Sequence, residues 1–155
     1  MQGTAVGASR AIFALLLITL LSGGAAAAKR PGEAVSATEK GELKNPHAGD
    51  KQAVDAGHKL FMSAGCNGCH GGTGGGGMGP PLTNTVWVYG NDDDTLFRLI
   101  ALGSDDLAKA GYKRKGTKSV VGPMPPFKDI VKSDDDLWKI VTWIKSLGAS
   151  KGASN

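Results

Sequence analysis

The sequence predicts an all-α protein with three main helices joined by long glycine- and proline-rich loops. Three segments place apolar residues three and four positions apart, which is the period of a helix with one buried face. Only Val86–Tyr89 has the composition of a strand, and no internal repeat is visible. A helical domain of roughly a hundred residues has a limited core of its own. We therefore expect the loops to wrap around a bound group.

The first two predicted helices end at glycines. The first covers Ala53–Ala64 and stops at Gly65, directly before a cysteine. The second covers Asp93–Leu102, with a residue of the pair Asn91-Asp92 as its N-cap and Gly103 as its stop. Aspartate and asparagine are favoured at N-caps, and glycine is favoured just after the last helical residue.

The third predicted helix covers Asp134–Leu147. Ser133 is a typical N-cap, and the three aspartates that open the helix complement the positive end of its dipole. Gly148 is expected to end the helix, and 149–155 is expected to form a polar tail. The folded domain is therefore predicted to span 50–148.

Residues 1–28 have the pattern of a secretory signal. Arg10 precedes the apolar run Ala11–Leu21, and a tract of small residues follows, so we expect cleavage near Ala28. The run is too short for a transmembrane span, with an uncleaved anchor as the alternative. We therefore expect a periplasmic protein without stable membrane insertion after cleavage. Residues 29–49 are polar and are expected to form a flexible arm.

The most specific motif is Cys66-Asn67-Gly68-Cys69-His70, which reads C-x-x-C-H. Two thiols at this spacing can form thioether bonds to the vinyl groups of a haem, and the adjacent histidine can bind the iron. A redox-active dithiol would need a βαβ context, and a zinc site would need further ligands. The chain has only two cysteines. The motif therefore indicates one covalent haem c, attached through Cys66 and Cys69, with His70 as the proximal iron ligand.

The loop 71–79 after this motif is rich in glycine, which lets backbone approach a flat ring closely. It is fixed at both ends, so we expect it to be ordered, with low-complexity disorder as the alternative. The expected sixth ligand is Met124, because a one-electron carrier needs iron without an open position. Met124 lies in a separate loop, 120–127, and the three prolines of that loop would hold the thioether in place. Met62 is expected to fill the core. The weaker candidates for the sixth ligand are Met78, His47 and His58.

From Asp50 to Leu147 the chain resembles the class I c-type cytochromes. Gly57-x-x-Leu60-Phe61 is similar to the first-helix signature of this family, and Gly79-Pro80-Pro81-Leu82 is similar to its Gly-Pro-x-Leu loop. The resemblance implies the class I cytochrome c fold around one haem. It also implies that the third helix crosses the first, where Trp143 or Ile144 meets the glycine of the signature.

The same resemblance assigns a partner to the proximal histidine. The carbonyl of Pro80 would accept a hydrogen bond from the second ring nitrogen of His70 and so fix the ring. Apolar side chains are expected to keep water from the haem, while packing in the core at the same time. These are Leu82, Leu96, Phe97, Ile100 and Phe127.

Several loops are similar to those of the cytochrome c-L type electron acceptors of PQQ-dependent, lanthanide-using methanol and alcohol dehydrogenases. They are the glycine-rich loop, Trp87-Val88-Tyr89-Gly90, Asp92-Asp93-Asp94 and Val121–Phe127. This similarity implies an electron-transfer protein that is not an enzyme. A quinoprotein alcohol dehydrogenase would be its donor, and a downstream cytochrome or terminal oxidase its acceptor. The alternatives are a generic respiratory cytochrome c shuttle and a haem-based peroxidase or ligand sensor.

The chain carries a formal net charge of +4 at pH 7. Nucleic acid is not an expected partner, because the tryptophans are not interleaved with basic residues. The basic run within 109–118, which follows the second predicted helix, is either a solvated surface or a docking patch for an acidic partner. Its members are Lys109, Lys113, Arg114, Lys115 and Lys118. The aspartate runs are explained as helix starts, and a calcium site there stays an open alternative.

Overall fold

The structure is a computed structural model that describes residues 1, 3, 28–117 and 121–152. The signal segment predicted over 1–28 lies almost wholly outside the described residues, and so does Lys118. Within the described residues the chain forms helices and no strand, which confirms the all-α prediction. None of these helices is long and apolar enough to cross a membrane. The helices are α1 (Pro31–Ala37), α2 (Lys51–Ser63), α3 (Asn67–His70), α4 (Asp93–Lys109) and α5 (Asp134–Gly152).

Helices α2 and α5 form the principal helix pair. The carboxylate of Asp50 caps α2 by accepting a hydrogen bond from the N–H of Gln52 at 2.8 Å. Halfway along α2, a Cβ on Gly57 would lie 2.0 Å from the carbonyl oxygen of Lys139 and 3.1 Å from the Cβ of Trp143. The helices therefore cross where glycine permits close approach, and Trp143 meets Gly57 as the resemblance implies.

The hydrophobic core lies between α2, α4 and α5. Phe61 packs against Trp143 with ring centroids 4.4 Å apart, and Phe97 packs against Trp138 at 4.3 Å. Burying one such side chain stabilises the fold by about 1.5–3 kcal/mol. The largest fully buried side chains of this core are Phe61, Phe97, Leu137, Ile140 and Val141.

Two predicted helix ends have different outcomes. Gly103 interrupts α4 with φ 75° and ψ 172°, as its role as a stop requires, and a short helical segment follows to Lys109. The predicted stop at Gly148 is wrong, because α5 continues into the expected tail as far as Gly152. Gly148 does not adopt the positive φ that ends helices. The N-cap of α5 is as predicted, since Oγ of Ser133 accepts from the N–H of Asp136 at 3.1 Å.

Residues 29–49 are not a flexible arm, which corrects the expectation from their polar composition. They contain α1 and bury Ala34 and Leu43 against the core. Further along, the amide of Asn45 donates to Oγ1 of Thr142 on α5 at 2.9 Å. We call 29–49 the N-terminal strap, because it packs along both α4 and α5.

A buried arginine explains why the N-terminal strap is ordered. Arg98 on α4 is 6% exposed and pairs with Asp94 at 2.9 Å. Three of its other N–H groups donate to the carbonyl oxygens of Val35, Thr38 and Glu39, at 3.1, 2.6 and 2.9 Å. A buried charge is costly unless it is paired and hydrogen-bonded. The backbone of the strap supplies the acceptors, so hydrogen bonds to Arg98 hold the strap in addition to its buried apolar residues.

Candidate cofactor-binding site

The end of α2 sets the position of the first cysteine. Gly65 has φ 81°, and its N–H donates to the carbonyl of Met62 at 3.2 Å. The N–H of Cys66 donates to the carbonyl of Phe61 at 3.1 Å. This pair of bonds is the Schellman motif, which needs a left-handed residue after the helix. Gly65 therefore delivers Cys66 to the site in a defined direction.

Helix α3 places both thiols and the histidine on one turn. The N–H groups of Cys69 and His70 both donate to the carbonyl of Cys66, at 3.2 and 3.0 Å. All three side chains line a single cavity. Both cysteines are free thiols, and no group of three metal-binding side chains occurs in the part of the chain that the structure describes. This arrangement disfavours a disulfide and a zinc site.

The thiol of Cys66 is buried. Burial raises the pKa of this thiol to about 11, and the neighbouring Cys69 adds to the effect. Thiol–disulfide exchange uses the thiolate, so burial disfavours attack by Cys66. The described residues form no strand, so they do not provide the βαβ context of a redox-active dithiol.

The ring of His70 is oriented by the loop that follows it. Its Nδ1 lies 2.9 Å from the carbonyl oxygen of Pro80. A carbonyl can only accept, so Nδ1 carries the hydrogen and Nε2 is the ring nitrogen left for a metal. An imidazole with one nitrogen fixed in this way is the usual form of a metal-binding histidine. The hydrogen bond that the resemblance implies is therefore present.

The glycine-rich loop 71–79 is folded against α3. The N–H of Gly76 donates to the carbonyl of His70 at 2.8 Å, and the N–H of Gly79 donates to that of Cys69 at 3.0 Å. A Cβ on Gly79 would lie 2.8 Å from Cε1 of His70. The glycine at this position is required by the contact with the ring, so the alternative of low-complexity disorder is wrong.

A second loop brings Met124 to the same cavity. The N–H of Met124 donates to Oγ of Ser104 at 3.0 Å, and its carbonyl accepts from the N–H of Ser104 at 2.9 Å. Ser104 directly follows the break in α4. A Cβ on Gly103 would lie 2.6 Å from the carbonyl oxygen of Met124. The residues at the break in α4 therefore make the contacts that position this loop.

The same loop satisfies the end of the first part of α4. The last carbonyls of a helix have no partners within the helix. Here the carbonyl of Ile100 accepts from the N–H of Phe127 at 2.9 Å, and that of Ala101 accepts from Lys128 at 3.1 Å. These two backbone bonds hold the part of the loop that follows Met124 against α4.

The weaker candidates for the sixth ligand lie in different places. Met78 lines the cavity but is 61% exposed. His58 does not line it: its Nε2 lies 2.8 Å from the carbonyl oxygen of Gly72, and its ring stacks on Trp143. His47 lies in the N-terminal strap, with Nε2 2.7 Å from Asp135. Neither histidine is placed to form a second axial ligand.

Two expectations about apolar residues need correction. Met62 does not fill the core, because it is 42% exposed on the outer side of α2. Phe97 is fully buried between helices and does not line the cavity, so it serves the core alone. The other apolar residues expected around the haem do line the cavity. They are Leu82, Leu96, Ile100 and Phe127.

The cavity has a volume of about 570 Å³ and a mainly apolar lining. This size is within the usual range for cofactor pockets. Both thiols and the His70 ring line this space, and the glycine at 79 leaves room for that ring. The residues present therefore fit a haem bound through Cys66 and Cys69. Among the described residues, Arg114 is the only lysine or arginine in the lining.

The described members of the predicted docking patch lie in different surroundings. Lys109 pairs with Asp106 at 2.8 Å. Lys115 lies close enough to Asp92 to help lower the pKa of that carboxyl, where hydrogen bonds outweigh the opposing effect of burial. Lys113 and Lys115 line a separate polar cleft, whereas Arg114 lines the cavity.

Ser104 is a functional residue that the sequence reasoning did not identify. Its signal was present: a serine followed by two aspartates, directly after a glycine that ends a helix. This pattern is typical of an N-cap that starts a new helical turn. What it did not indicate is that the serine would hold a loop twenty residues further along the chain.

Comparisons with known proteins match this chain to a family and to a solved structure. The family model for Cytochrome c matches residues 54–148. The comparison with curated proteins finds no match. Among solved structures, cytochrome CL from the marine methylotrophic bacterium Methylophaga aminisulfidivorans MPT is similar. It has 26% sequence identity, the match covers 72% of this chain and 71% of that chain, and the TM-score is 0.47.

Proposed function

Because this chain belongs to the cytochrome c family, we propose that it carries single electrons in the periplasm from a quinoprotein methanol or alcohol dehydrogenase to a downstream cytochrome or oxidase. Family membership makes it a monohaem electron-transfer protein, with Cys66 and Cys69 in the attachment motif. The bound haem supplies iron that accepts and releases one electron. The residues of this chain determine how that group is held and which proteins reach it.

One observation supports the role of carrier over that of enzyme or sensor. His70 and Met124 line one cavity; the His70 ring is held by the carbonyl of Pro80, and the backbone of Met124 is held by Ser104. We assign Nε2 of His70 and the thioether of Met124 as the groups that would hold the haem iron. Iron held by both would need little rearrangement when it changes charge and would have no position open to peroxide or a gas. Among the described lining residues there is no second histidine to act on such a ligand.

The remaining lining residues keep the site dry and rigid. Leu82 is fixed by its N–H, which donates to the carbonyl of Gly74 at 2.8 Å. Ile100 and Phe127 are joined through the backbone bond at the break in α4. Because apolar side chains on both loops exclude water, the charge change is less well solvated and the potential depends on the protein environment.

The entrance of the cavity supports transfer to a protein partner. Met78, Val86 and Val121 line the cavity and are exposed. Weak redox encounters use small interfaces, and an apolar centre with charges at its edge suits them. Lys113, Arg114 and Lys115 lie on the next loop and would favour an acidic partner surface. The choice of a quinoprotein dehydrogenase as donor is based on the loop motifs, which resemble those of cytochrome c-L.

The test is reduction of the purified, haem-loaded protein by a quinoprotein methanol dehydrogenase with methanol, followed by the visible haem spectrum. We expect reduction only when enzyme and substrate are both present, at a rate that falls as ionic strength rises. A parallel sample with a respiratory quinol-oxidising complex as donor serves as the comparison. Full reduction by dithionite, without any reduction by the dehydrogenase, would contradict the proposed donor.

A further inference from the structure

The first residue of the N-terminal strap is joined to the start of α5 by two hydrogen bonds. The N–H of Lys29 donates to Oδ1 of Asp134 at 3.1 Å. The carbonyl of Lys29 accepts from the N–H of Asp134 at 2.7 Å. The same Oδ1 also accepts from the N–H of Asp135 at 2.9 Å. The carboxylate of Asp134 is therefore turned back toward the end of the helix, with the nitrogen of Lys29 beside it.

The residues after Lys29 keep its nitrogen in this position. The N–H of Arg30 donates to Oε2 of Glu33 at 3.1 Å, which closes the first turn of α1. Pro31, the first residue of α1, is fully buried. By contrast, Ala28, Lys29 and Arg30 are exposed. The strap is thus anchored from Pro31 onward, while the peptide bond between Ala28 and Lys29 lies at the surface, where a protease can reach it.

The same nitrogen lies at the cleavage site that the sequence predicts. Ala26 and Ala28 fit the small positions before the cut of a signal peptidase, so hydrolysis would fall between Ala28 and Lys29. Water adds across this peptide bond: the carboxylate stays on Ala28, and Lys29 gains an α-ammonium. A donor that is neutral in the uncut chain then carries a full positive charge, at a position 3.1 Å from Oδ1 of Asp134.

We propose that cleavage after Ala28 creates an intramolecular ion pair, in which the new α-ammonium of Lys29 binds the carboxylate of Asp134 at the start of α5. Hydrogen bonds between charged groups are shorter and stronger than neutral ones. The processed chain therefore holds the start of its N-terminal strap more firmly than the uncut chain does. The proposal uses the export that the proposed function includes, and it involves neither the haem nor the electron donor.

Other charged groups lie near the terminus, but Asp134 is the carboxylate that contacts its nitrogen within the described part of the chain. Glu33 accepts from the next N–H along the chain. Asp135 pairs with His47 of the strap at 2.7 Å. Further charges on the neighbouring elements are Arg30, Lys128, Asp136 and Lys139.

The ion pair should change how the terminus titrates. An opposite charge within about 4–6 Å favours the charged form, so the α-amino pKa should lie above its ordinary value of about 7.7–8.0. The stabilisation by the pair is therefore fully present below that ordinary value and is lost as the pH rises through the raised pKa. Because exposed ion pairs contribute little free energy, the protonation of the nitrogen is a sharper readout than stability.

The experiment uses the exported, haem-loaded protein and has two readouts. N-terminal sequencing should find Lys29 as the first residue of the processed chain. Acylation of the α-amine by an activated ester at pH 7, followed by mass spectrometry of the N-terminal peptide, measures how much of the terminus is free amine. We expect this reaction to be at least about threefold slower in the unaltered protein than in Asp134→Asn, which keeps a side-chain oxygen and loses the charge.

Asp136→Asn is the matched control, because it removes the same charge from the same helix turn, where its carboxylate lies 3.9 Å from Lys139. Its terminus should react as slowly as that of the unaltered protein, and so should that of Asp134→Glu, which keeps a carboxylate. A processed chain that begins at any residue other than Lys29 would overturn the proposal, and so would equal rates in Asp134→Asn and Asp136→Asn. Neither readout involves electron transfer, so the proposed donor is tested separately.

Discussion

The loops 71–82 and 121–128 reach the same cavity but are held in different ways. The first, which we call the proximal loop, bonds to the turn that it directly follows, through the carbonyls of Cys69 and His70. The second, which we call the distal loop, bonds to a break in α4 some twenty residues earlier in the chain. A ligand held by local contacts can be inferred from a short motif, whereas one held by distant contacts depends on the whole fold.

The largest expected effect is in the distal loop, with Gly103→Ala. This position has φ 75°, and a Cβ would lie 2.6 Å from the carbonyl oxygen of Met124. Strain in the left-handed region and overpacking each cost about 1–3 kcal/mol. We expect chemical denaturation to show a loss of about 2–4 kcal/mol. Gly122→Ala is the control in the same loop, because nothing lies within 4 Å of its Cβ position. Equal stability of the two variants would contradict this account.

Gly79→Ala tests the proximal loop in the same way. A Cβ there would lie 2.8 Å from Cε1 of His70, but the residue has no positive φ, so only overpacking is expected. The free energy of unfolding should fall by about 1–3 kcal/mol, and the ring should lose its bond to Pro80. Gly75→Ala is the control, since its nearest neighbour is 3.8 Å away. Nitrogen-sensitive EPR of the ferric haem would report the ring orientation, and an unchanged spectrum would count against a tight contact.

Ser104→Ala should have a smaller effect, because it removes one of the two hydrogen bonds between Ser104 and Met124. The expected loss of stability is about 0.5–1.5 kcal/mol, together with a higher fraction of high-spin ferric protein. Ser63→Ala on α2 is the control, as its Oγ donates only to a local helix carbonyl at 3.1 Å. A spectrum identical to that of Ser63→Ala would show that the hydroxyl does not hold the distal loop.

Acid should loosen the N-terminal strap before either loop. Burial raises the pKa of Asp94, but hydrogen bonds from Tyr112, Arg98 and Leu43 outweigh it, and the pKa lies below its usual value. The stabilisation that ionised Asp94 gives to the strap is therefore fully present above about pH 4, where a free aspartate titrates. It is lost as the pH falls through the lower pKa of Asp94 in the folded protein. Hydrogen exchange of 29–49 at decreasing pH measures this. Simultaneous exposure of the strap and the proximal loop would be the opposite result.

The parts of the site that could be predicted from the sequence are those that depend on neighbouring residues. The attachment turn, the helix stops at Gly65 and Gly103 and the bond from His70 to Pro80 all belong to short patterns. Met124 could be singled out only by its flanking prolines, because its seat at Ser104 is distant in the chain. Distance in sequence thus limited the prediction on the distal side.

The N-terminal strap shows a second limit. Much of its contact with α4 is made by backbone carbonyls that satisfy Arg98, and every residue has such carbonyls whatever its side chain. Composition therefore suggested a flexible segment. Nothing in the pattern of α4 marked Arg98 as buried, because arginine at a helix surface is far more common. The burial of Arg98 follows from Asp94 and the N-terminal strap, which surround it in the fold.

The central claim is that His70, whose ring the proximal loop orients, and Met124, on the distal loop, would both bind the haem iron. The most direct measurement is the near-infrared absorption of the ferric, haem-loaded protein, compared between Met124→Ala and Met78→Ala. The account predicts a thioether-to-iron charge-transfer band in the unaltered protein and in Met78→Ala. It also predicts loss of that band, with a lower midpoint potential, in Met124→Ala. A band that persists in Met124→Ala, or disappears in Met78→Ala, would contradict it.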